Sequence, residues 1–336
     1  MVFYNTMTHS IRLVLVLAWM AGGLAPWAPA AAAVRADLFQ ATVPLADRSE
    51  AAQTAAFQSA LRAVLVRVTG QRTAADDPAF APLVGEARRL VQQYRAASDH
   101  DIWVAFDAGA IERWLAQNGE PVWGRERPTT FVWLGIQTAP NDGTIAAQGD
   151  NSELKSQLDA AAAERGITLL WPAAADLQNN RLDYATMSGA PVATLAALGR
   201  RLGADAVLIG RAGAAGVHWT LVFQDRSVEF AGAAEGVERT ADTYAALFAS
   251  SGNLTPVEID VSGIESVHDY AAALNYLDSL AFVSHVSVQT LSGDLVRFRL
   301  STRAGRDALS RALALNGLLE PDGAGDGAVQ RFHLRR

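Results

Sequence analysis

A loop centred on Trp123 holds the residue types that most often carry binding energy at protein interfaces. Arg125 and Arg127 follow Trp123 at alternate positions, with a glycine after the tryptophan. Trp and Arg are enriched at binding hot spots, and glycine lets the backbone turn sharply. The spacing therefore predicts a binding site made of Trp123, Arg125 and Arg127. The alternative is structural: Trp123 fills the core beneath the loop, and Arg127 pairs with an acid such as Glu86.

The sequence patterns of the common catalytic sites are absent from this chain. The P-loop, the nucleophile elbow, the zinc-protease histidine pair and the dinucleotide glycine motif each need a spacing that does not occur. Cysteine is absent, which excludes disulfides, thiolate nucleophiles and zinc sites with cysteine ligands. The sequence thus indicates no catalytic residue, no metal site and no cofactor, and it favours binding over catalysis.

Three weaker clusters are better explained as turns. Residues 99–101 read Asp-His-Asp, but adjacent side chains do not converge easily on one ion, so a solvated turn is expected. Residues 322–327 lack the spacing and the final Glu of a calcium loop, which favours a hairpin tip. Gly210, Gly213 and Gly216 precede a strand and not a helix, which favours a hairpin turn over a phosphate site.

A hydrolase acting on an envelope polymer is the rival from another functional class. It would use carboxylates such as Asp107 or Asp183, which the sequence does not pair with any partner. The histidines outside the leader are scattered, and the sequence pairs none of them with a nucleophile: His100, His218, His268, His285 and His333. A chaperone-like structural protein is a third possibility.

The first residues of the chain predict a cleavable secretory signal, residues 1–36. An apolar run at residues 13–24 follows Arg12, and two prolines and a tract of small residues come after it. The run is shorter than the roughly 20 residues that span a bilayer. Two small-x-small sites leave Val34 or Asp37 as the first mature residue. We expect a periplasmic protein without a membrane span, and the absence of cysteine excludes a lipoprotein.

The charge of the chain argues against nucleic acid as a partner. The formal net charge is −7, and removal of the leader with Arg12 and Arg35 makes it −9. Binding to phosphates needs clustered Lys and Arg, whereas 35 acidic residues outnumber the 26 basic residues that remain after the leader is removed. The charge balance therefore predicts that nucleic acid is not a partner.

Hydrophobic periodicity predicts an α+β protein of two or three mixed modules. The predicted boundaries are 37–137 for an N-terminal α+β module, 152–250 for a middle module with a strand meander, and 256–336 for a C-terminal module. Apolar residues between Phe57 and Val68 recur at helical spacing, and Asp47 and Glu50 before them are spaced as a capping box. Gly70 is placed to end this helix and Gly166 to end one that runs through Arg165. Residues 86–94 also look helical. The last module shows the order β-α-β-β-α-β, with a turn at residues 292–294 and a terminal strand near residues 330–334, which predicts a ferredoxin-like fold.

Four segments carry a resemblance to a known family. They read Val-Pro-Leu-Ala-Asp-Arg-Ser at 43–49, Ala-Leu-Arg-Ala-Val-Leu-Val-Arg-Val-Thr-Gly at 60–70, Val-Gln-Gln-Tyr-Arg at 91–95, and Pro-Val-Trp-Gly with Arg-Pro at 121–128. Together they resemble the bacterial envelope family catalogued as domain of unknown function 2066, which implies an exported protein without established chemistry. Residues 198–210 are similar to a helix-to-strand element of several envelope accessory proteins. The sequence therefore predicts an exported accessory protein that binds or scaffolds partners in envelope assembly or maintenance.

Overall fold

The computed structural model describes residues 38–125, 127–224, 226–251, 253–280, 282–315, 317–323 and 329–335. All of them belong to one unit, Ala33–Arg336, as judged by backbone contacts. The predicted secretory signal, residues 1–36, lies outside the described residues. Three separate sheets alternate with helices along the chain, which confirms the predicted α+β class.

The first sheet carries one long helix on its inner face. Its strands β1 (Gln40–Pro44), β2 (Val91–Ala96) and β3 (Asp101–Phe106) are antiparallel in the order β1-β3-β2. The helices are α1 (Glu50–Thr69), α2 (Ala81–Gly85), α3 (Ala87–Leu90) and α4 (Ala108–Gln117), with 3-10 turns at Arg72–Ala75 and Pro78–Phe80. The apolar face predicted between Phe57 and Val68 is buried against Ile102, Val104 and Phe106. This burial is what holds α1 on the sheet.

The C-terminal end of α1 agrees with the sequence prediction, and the N-terminal end does not. Gly70 ends the helix in the left-handed region at φ 74°, as its position predicts. A capping box of Asp47 and Glu50 was the expected start, but Ser49 caps the helix and its hydroxyl accepts from the N–H of Ala52. Asp47 instead accepts from the N–H of Ser49, so it orders the turn before the helix.

The helix predicted over residues 86–94 is wrong. Only Ala87–Leu90 is helical, and Val91–Ala96 forms the edge strand β2. Tyr94 packs edge-on against Phe57 with ring centroids 5.2 Å apart, and Arg95 lies over the ring of Trp103 at 4.9 Å. Pairing with β3 overrides the local pattern, because backbone hydrogen bonds to a neighbouring strand outweigh a weak helical preference.

The middle sheet is covered by helices on both faces. Its strands run in the order β5-β4-β7-β8-β9, with β6 also paired to β4: β4 (Thr129–Ala139), β5 (Asp142–Ile145), β6 (Thr168–Leu170), β7 (Ala206–Gly213), β8 (Gly216–Phe223) and β9 (Arg226–Ala231). The helices are α5 (Glu153–Arg165), α6 (Ala174–Asn179), α7 (Tyr184–Gly189), α8 (Val192–Arg201) and α9 (Glu235–Phe248). One apolar cluster joins the sheet to α5 and α9, and a second joins the other face to α7 and α8.

Strand β4 belongs to this middle sheet. It pairs in parallel with β7, with Thr130 opposite Ala206 and Ile136 opposite Ala212. The sequence interpretation counted this strand with the N-terminal module, which was drawn to residue 137. The pairing therefore moves the strand into the next sheet, while the division into independent modules stays a prediction.

The last sheet has five strands in the order β11-β12-β10-β14-β13. They are β10 (Thr255–Ser262), β11 (Val283–Ser292), β12 (Leu295–Thr302), β13 (Leu319–Pro321) and β14 (Gln330–Leu334), and the helices are α10 (Val267–Asp278) and α11 (Arg306–Leu315). The predicted turn at residues 292–294 joins β11 to β12. The final strand β14 runs parallel to β10, and β13 lies outside it. The ferredoxin-like fold is not confirmed, because that fold has four strands and its last strand is antiparallel to the first.

Candidate functional site

Trp123 lies in the core where the first sheet meets the middle sheet. Its side chain is 1% exposed and packs in the apolar cluster under α5 and α9. Its backbone N–H donates to the carbonyl of Val68 at 2.6 Å, and Val122 forms a β-bridge with Ser250. Trp123 therefore occupies the position that the structural alternative expected, and its ring is not available to a partner at the surface.

Arg127 uses all five of its N–H donors on backbone carbonyls. Nε donates to Gly124 at 3.0 Å, and the two terminal nitrogens donate to the carbonyls of Trp123, Arg67, Arg165 and Gly166 at 2.6–3.2 Å. The guanidinium also stacks over the Trp123 ring at 3.8 Å from its centroid. A planar fork with five donors fits this arrangement, and no other side chain could satisfy it.

Three of the five acceptors around Arg127 come from the ends of two helices. Arg67 is in the last turn of α1, and Arg165 and Gly166 close α5. Helix C-termini carry partial negative charge, so they stabilise a guanidinium placed between them. Burial, with the neighbouring charges of Arg67 and Arg165, lowers the pKa of Arg127 well below its ordinary value. The expected pairing with Glu86 is wrong, because Glu86 binds Arg89 at 3.1 Å.

Arg165 forms a second buried network beside the first. Its guanidinium bonds Glu238, reaches Asp242 at 2.7 Å, and donates to the carbonyl of Gly70 at 3.1 Å. The side chain is 2% exposed and its partner Glu238 is 11% exposed. One arginine from α5 thus joins two acids of α9 to the end of α1, so this network fastens three helices together.

A cleft of about 200 Å³ opens above the Arg165 network. It is lined by Ala63, Val66, Arg72, Glu164, Arg165 and Glu238. Arg72 lies 3.8 Å from Glu238 at the mouth. The charges in the cleft balance, with two arginines and two glutamates in the lining. Glu238 is bound by both Arg165 and Arg72, so this side of the cleft is part of the helix junction.

Arg125 is the exposed member of the predicted site. It lies over the ring of Phe39 at 5.6 Å, next to Glu112 on α4. Burial raises the pKa of Glu112, and the charges of Arg125 and Arg113 partly offset this effect. The structure therefore separates the three predicted residues: Trp123 and Arg127 are held in the junction, and Arg125 is at the surface. A binding role for Arg125 stays a prediction.

The carboxylates named for a hydrolase are helix caps. Asp107 accepts from the N–H of Ala110 at the start of α4, at 2.9 Å. Asp183 accepts from the N–H of Thr186 at the start of α7, at 2.7 Å, and hydrogen bonds from the side chain and then the backbone of Thr186 lower the pKa of Asp183. Each oxygen satisfies an amide that the helix leaves open. Neither carboxylate is therefore paired with another acid or a nucleophile in these contacts.

The remaining clusters are turns in the part of the chain that is described. The hydroxyl of Ser98 donates to the carboxylate of Asp101 at 2.7 Å and accepts from the backbone N–H of His100 at 3.1 Å. These two bonds order the turn before β3. Gly213 and Gly216 face each other across the β7–β8 hairpin, as predicted, whereas Gly210 lies within β7 opposite Trp219 and is not part of the turn. Residues 324–327 of the last cluster lie outside the described residues. Across the described ranges, no three His, Asp or Glu side chains are placed to hold a metal.

One pairing was not visible in the sequence. Ser262 on β10 lies 3.1 Å from Nδ1 of His333 on β14, because the parallel register brings these two residues together. Glu320 lies opposite His333 on β13 but binds Arg335 at 2.9 Å. The pair is on the exposed face of the sheet, and the N–H of nearby Gly263 is already bound to Asp294. The Ser262–His333 pair therefore finds no free backbone N–H at Gly263 to stabilise an oxyanion.

Strand β11 is a long edge strand whose second half is open to solvent. It is ten residues long, and its last five side chains, from Val288 to Ser292, are all exposed. It pairs with β12 on one side only, which leaves the other row of backbone groups without a strand. Val288 is 38% exposed and Leu291 is 66% exposed. A long free edge with apolar side chains is a ready template for another strand.

The other sheet edges carry features that discourage pairing. Pro44 ends β1, Arg95 lies in β2, and β9 contains Arg226 and Glu229. Strands β5, β6 and β13 are only three or four residues long. Short length, proline and charge are the usual protections of an edge. Strand β11 has no charged residue and no proline, and its only irregularities are two register shifts.

Comparison with known proteins identifies one domain family. Residues 32–124 match the family described as Domain of unknown function (DUF8605). The resemblance to domain of unknown function 2066 is therefore wrong, because the family that matches this region is a different one. No curated protein and no solved structure matches the chain. In the described ranges, no helix has both the length and the apolar character needed to cross a membrane.

Proposed function

We propose that this chain is an exported accessory protein of the cell envelope that binds an extended segment of another protein along β11. The observation that carries the proposal is the free edge of the last sheet, which is long, uncharged and without proline. An added strand would gain main-chain hydrogen bonds along this edge, and side-chain contacts would select the partner. Binding by strand addition needs no catalytic group.

The roles of the other polar groups support binding over hydrolysis. Asp107 and Asp183 cap helices, and Arg127 and Arg165 join helix ends. These groups are engaged in holding the molecule together, so their charges have structural uses. Among the sheet edges of the described residues, β11 is the long one without Asp, Glu, Lys, Arg or Pro, so it is the best placed to form new backbone hydrogen bonds.

A site-specific photo-crosslinker tests the binding proposal. It replaces Gln289, an exposed residue of β11, and the matched control replaces Ser227, an exposed residue of β9. In intact envelopes we expect protein adducts from position 289, a far weaker signal from position 227, and loss of the first adducts when Val288→Lys is added. Equal adducts from both positions, or none from position 289, would contradict the proposal.

Export is a separate part of the proposal and rests on the leader pattern. The small residues at 30–36 favour cleavage that leaves Val34 or Asp37 at the amino terminus, and a periplasmic location. N-terminal sequencing of protein from the periplasmic fraction checks this expectation. A chain that starts at Met1 in that fraction would overturn it.

A further inference from the structure

The helix-facing side of β11 continues the apolar core to the edge of the sheet. Three of its residues lie opposite buried β12 residues: Val286 opposite Leu300, Val288 opposite Phe298, and Leu291 opposite Val296. Directly opposed residues point to the same face of a sheet. Val286 packs against the core, whereas Val288 and Leu291 are increasingly exposed. The core is therefore open where the helix cover ends.

The other side of β11 is polar. Ser287 lies opposite Arg299 and Thr290 lies opposite Arg297. These arginines form cross-strand ion pairs, Arg299 with Glu258 at 2.6 Å and Arg297 with Asp260 at 2.7 Å. A strand added beside β11 would thus meet apolar side chains on one face and hydroxyl groups on the other.

We infer that the partner segment is an amphipathic β-strand, with apolar and polar residues at alternate positions, and that it adds to β11 as a sixth strand. This inference rests on the proposed function and specifies its partner. Alternate residues of a strand point to opposite faces. A segment of period two would place every apolar side chain beside Val288 and Leu291, and every polar one beside Ser287 and Thr290.

A second copy of the same chain fits this edge less well. The register shifts of β11 lie between Val283 and His285 and between Val288 and Thr290, so regular pairing between two rigid copies would be limited to short stretches, the longest being residues 285–288. A bulge bends and twists its strand. Two copies without the leader, with a formal charge of −9 each, would also repel. A segment that is not yet folded can follow the bent edge along its full length.

Binding of labelled peptides to the purified chain tests the inference. The probe alternates Val with Thr and has Lys residues at its ends for solubility. One control has the same composition with all Val residues in one block, and another has N-methyl groups on alternate backbone amides. Fluorescence anisotropy should show the alternating peptide binding about tenfold more tightly than either control. We also expect Val288→Lys and Leu291→Lys to weaken its binding about tenfold, and Val228→Lys on the β9 edge to leave it unchanged.

The outcomes separate this inference from the proposed function. Circular dichroism first checks that each variant is folded. If Val288→Lys does not fold, Leu291→Lys alone provides the comparison. Equal binding of the block or N-methylated peptide would overturn the inference, as would no binding at all. If envelope adducts still form at position 289 in that case, the proposed function survives. A dimer in light scattering that Leu291→Lys dissociates would also overturn the inference, because the occupant would then be a second copy.

Discussion

At the scale of single residues, the arginines near Trp123 serve structure through their geometry. Arg127 satisfies five carbonyls and Arg165 satisfies two acids and one carbonyl. A buried charge is costly unless it is paired and hydrogen-bonded, and removing one partner leaves the others unsatisfied. The stability of the junction should therefore depend strongly on these side chains and weakly on exposed Arg125.

Trp123→Ala should destabilise the protein by about 3–5 kcal/mol, the usual penalty for removing a large buried aromatic side chain. Arg125→Ala should stay within about 0.5 kcal/mol, as exposed positions usually do. Trp123→Phe keeps most of the apolar volume, so its effect should be smaller than that of alanine. Chemical denaturation of the three variants measures these differences. Normal stability of Trp123→Ala would contradict the burial of this ring.

Arg127→Lys should destabilise the protein by about 3 kcal/mol or more, although the charge is kept. Lysine has three donors on one nitrogen, so at least two of the five carbonyls lose their partner, and each unsatisfied buried group costs about 1–3 kcal/mol. Arg125→Lys is the matched control and should be near neutral. Chemical denaturation measures both changes: where the free energy of unfolding falls with denaturant at the same slope as in the parent, the shift of the midpoint gives the loss of stability. Equal stability of the two variants would show that the carbonyl arrangement is unimportant.

At the scale of secondary-structure elements, the end of α1 is fitted closely against α9. Gly70 has φ 74°, and a Cβ there would lie 2.5 Å from the Cβ of Ala245 and 2.9 Å from the Trp123 ring. Gly119 after α4 has the same φ, but nothing lies within 4 Å of its Cβ position. The two glycines share the backbone requirement and differ in the space around them.

Gly70→Ala should therefore cost more than Gly119→Ala. The left-handed conformation costs both variants about 1–2 kcal/mol, and the overlap with α9 should add about 1–3 kcal/mol at Gly70 alone. Thermal and denaturant unfolding of the two variants isolates the packing contribution. Equal losses would mean that the helices move apart easily at this point.

The ion pair between Asp260 on β10 and Arg297 on β12 should make the stability of the protein depend on pH. Arg297 donates two bonds to Asp260, at 2.7 and 2.8 Å, and they lower the pKa of Asp260. A lowered pKa in the folded state contributes stability above the unfolded pKa of about 3.9, and this contribution is lost as the pH falls through the folded value. Asp260→Asn should thus be less stable than the parent at pH 7, with a difference that shrinks below about pH 4. Unfolding at several pH values tests this, with exposed Asp278→Asn as the control, and a constant difference would contradict it.

At the scale of the whole molecule, the positions where a protease first cuts the chain test the predicted division into modules. We expect first cleavage near residues 250–255, between the predicted middle and C-terminal modules, where exposed Leu254 lies. The other predicted linker, residues 139–151, contains β5, which pairs with β4, so cleavage there should come later. Cleavage within residues 57–68 should not occur early, because α1 is buried there. Limited digestion followed by mass spectrometry identifies the cut sites. An early cut inside α1 would contradict the predicted division.

Local features of the sequence predicted much of the secondary structure. Gly70 and Gly166 end their helices, the glycine turn joins β7 to β8, and β14 spans Gln330–Leu334 as expected. These features act through neighbouring residues, since a left-handed cap or a period of two is a property of a short segment. The candidate site was predicted only in part, because spacing showed Trp123 and its two arginines but not which way they face.

The sequence by itself determined the α+β class, the helix that spans Phe57 and Val68, and the absence of cysteine chemistry. Only the tertiary structure decided that Arg127 is surrounded by carbonyls, that Ser262 meets His333, and that β11 is an edge strand. Each of these facts depends on contacts between residues far apart in the chain: Arg127 reaches Arg67, and β14 passes β10 in a parallel register. Strand order decides which backbone groups remain free, and it follows from how whole elements pack, which local spacing does not encode.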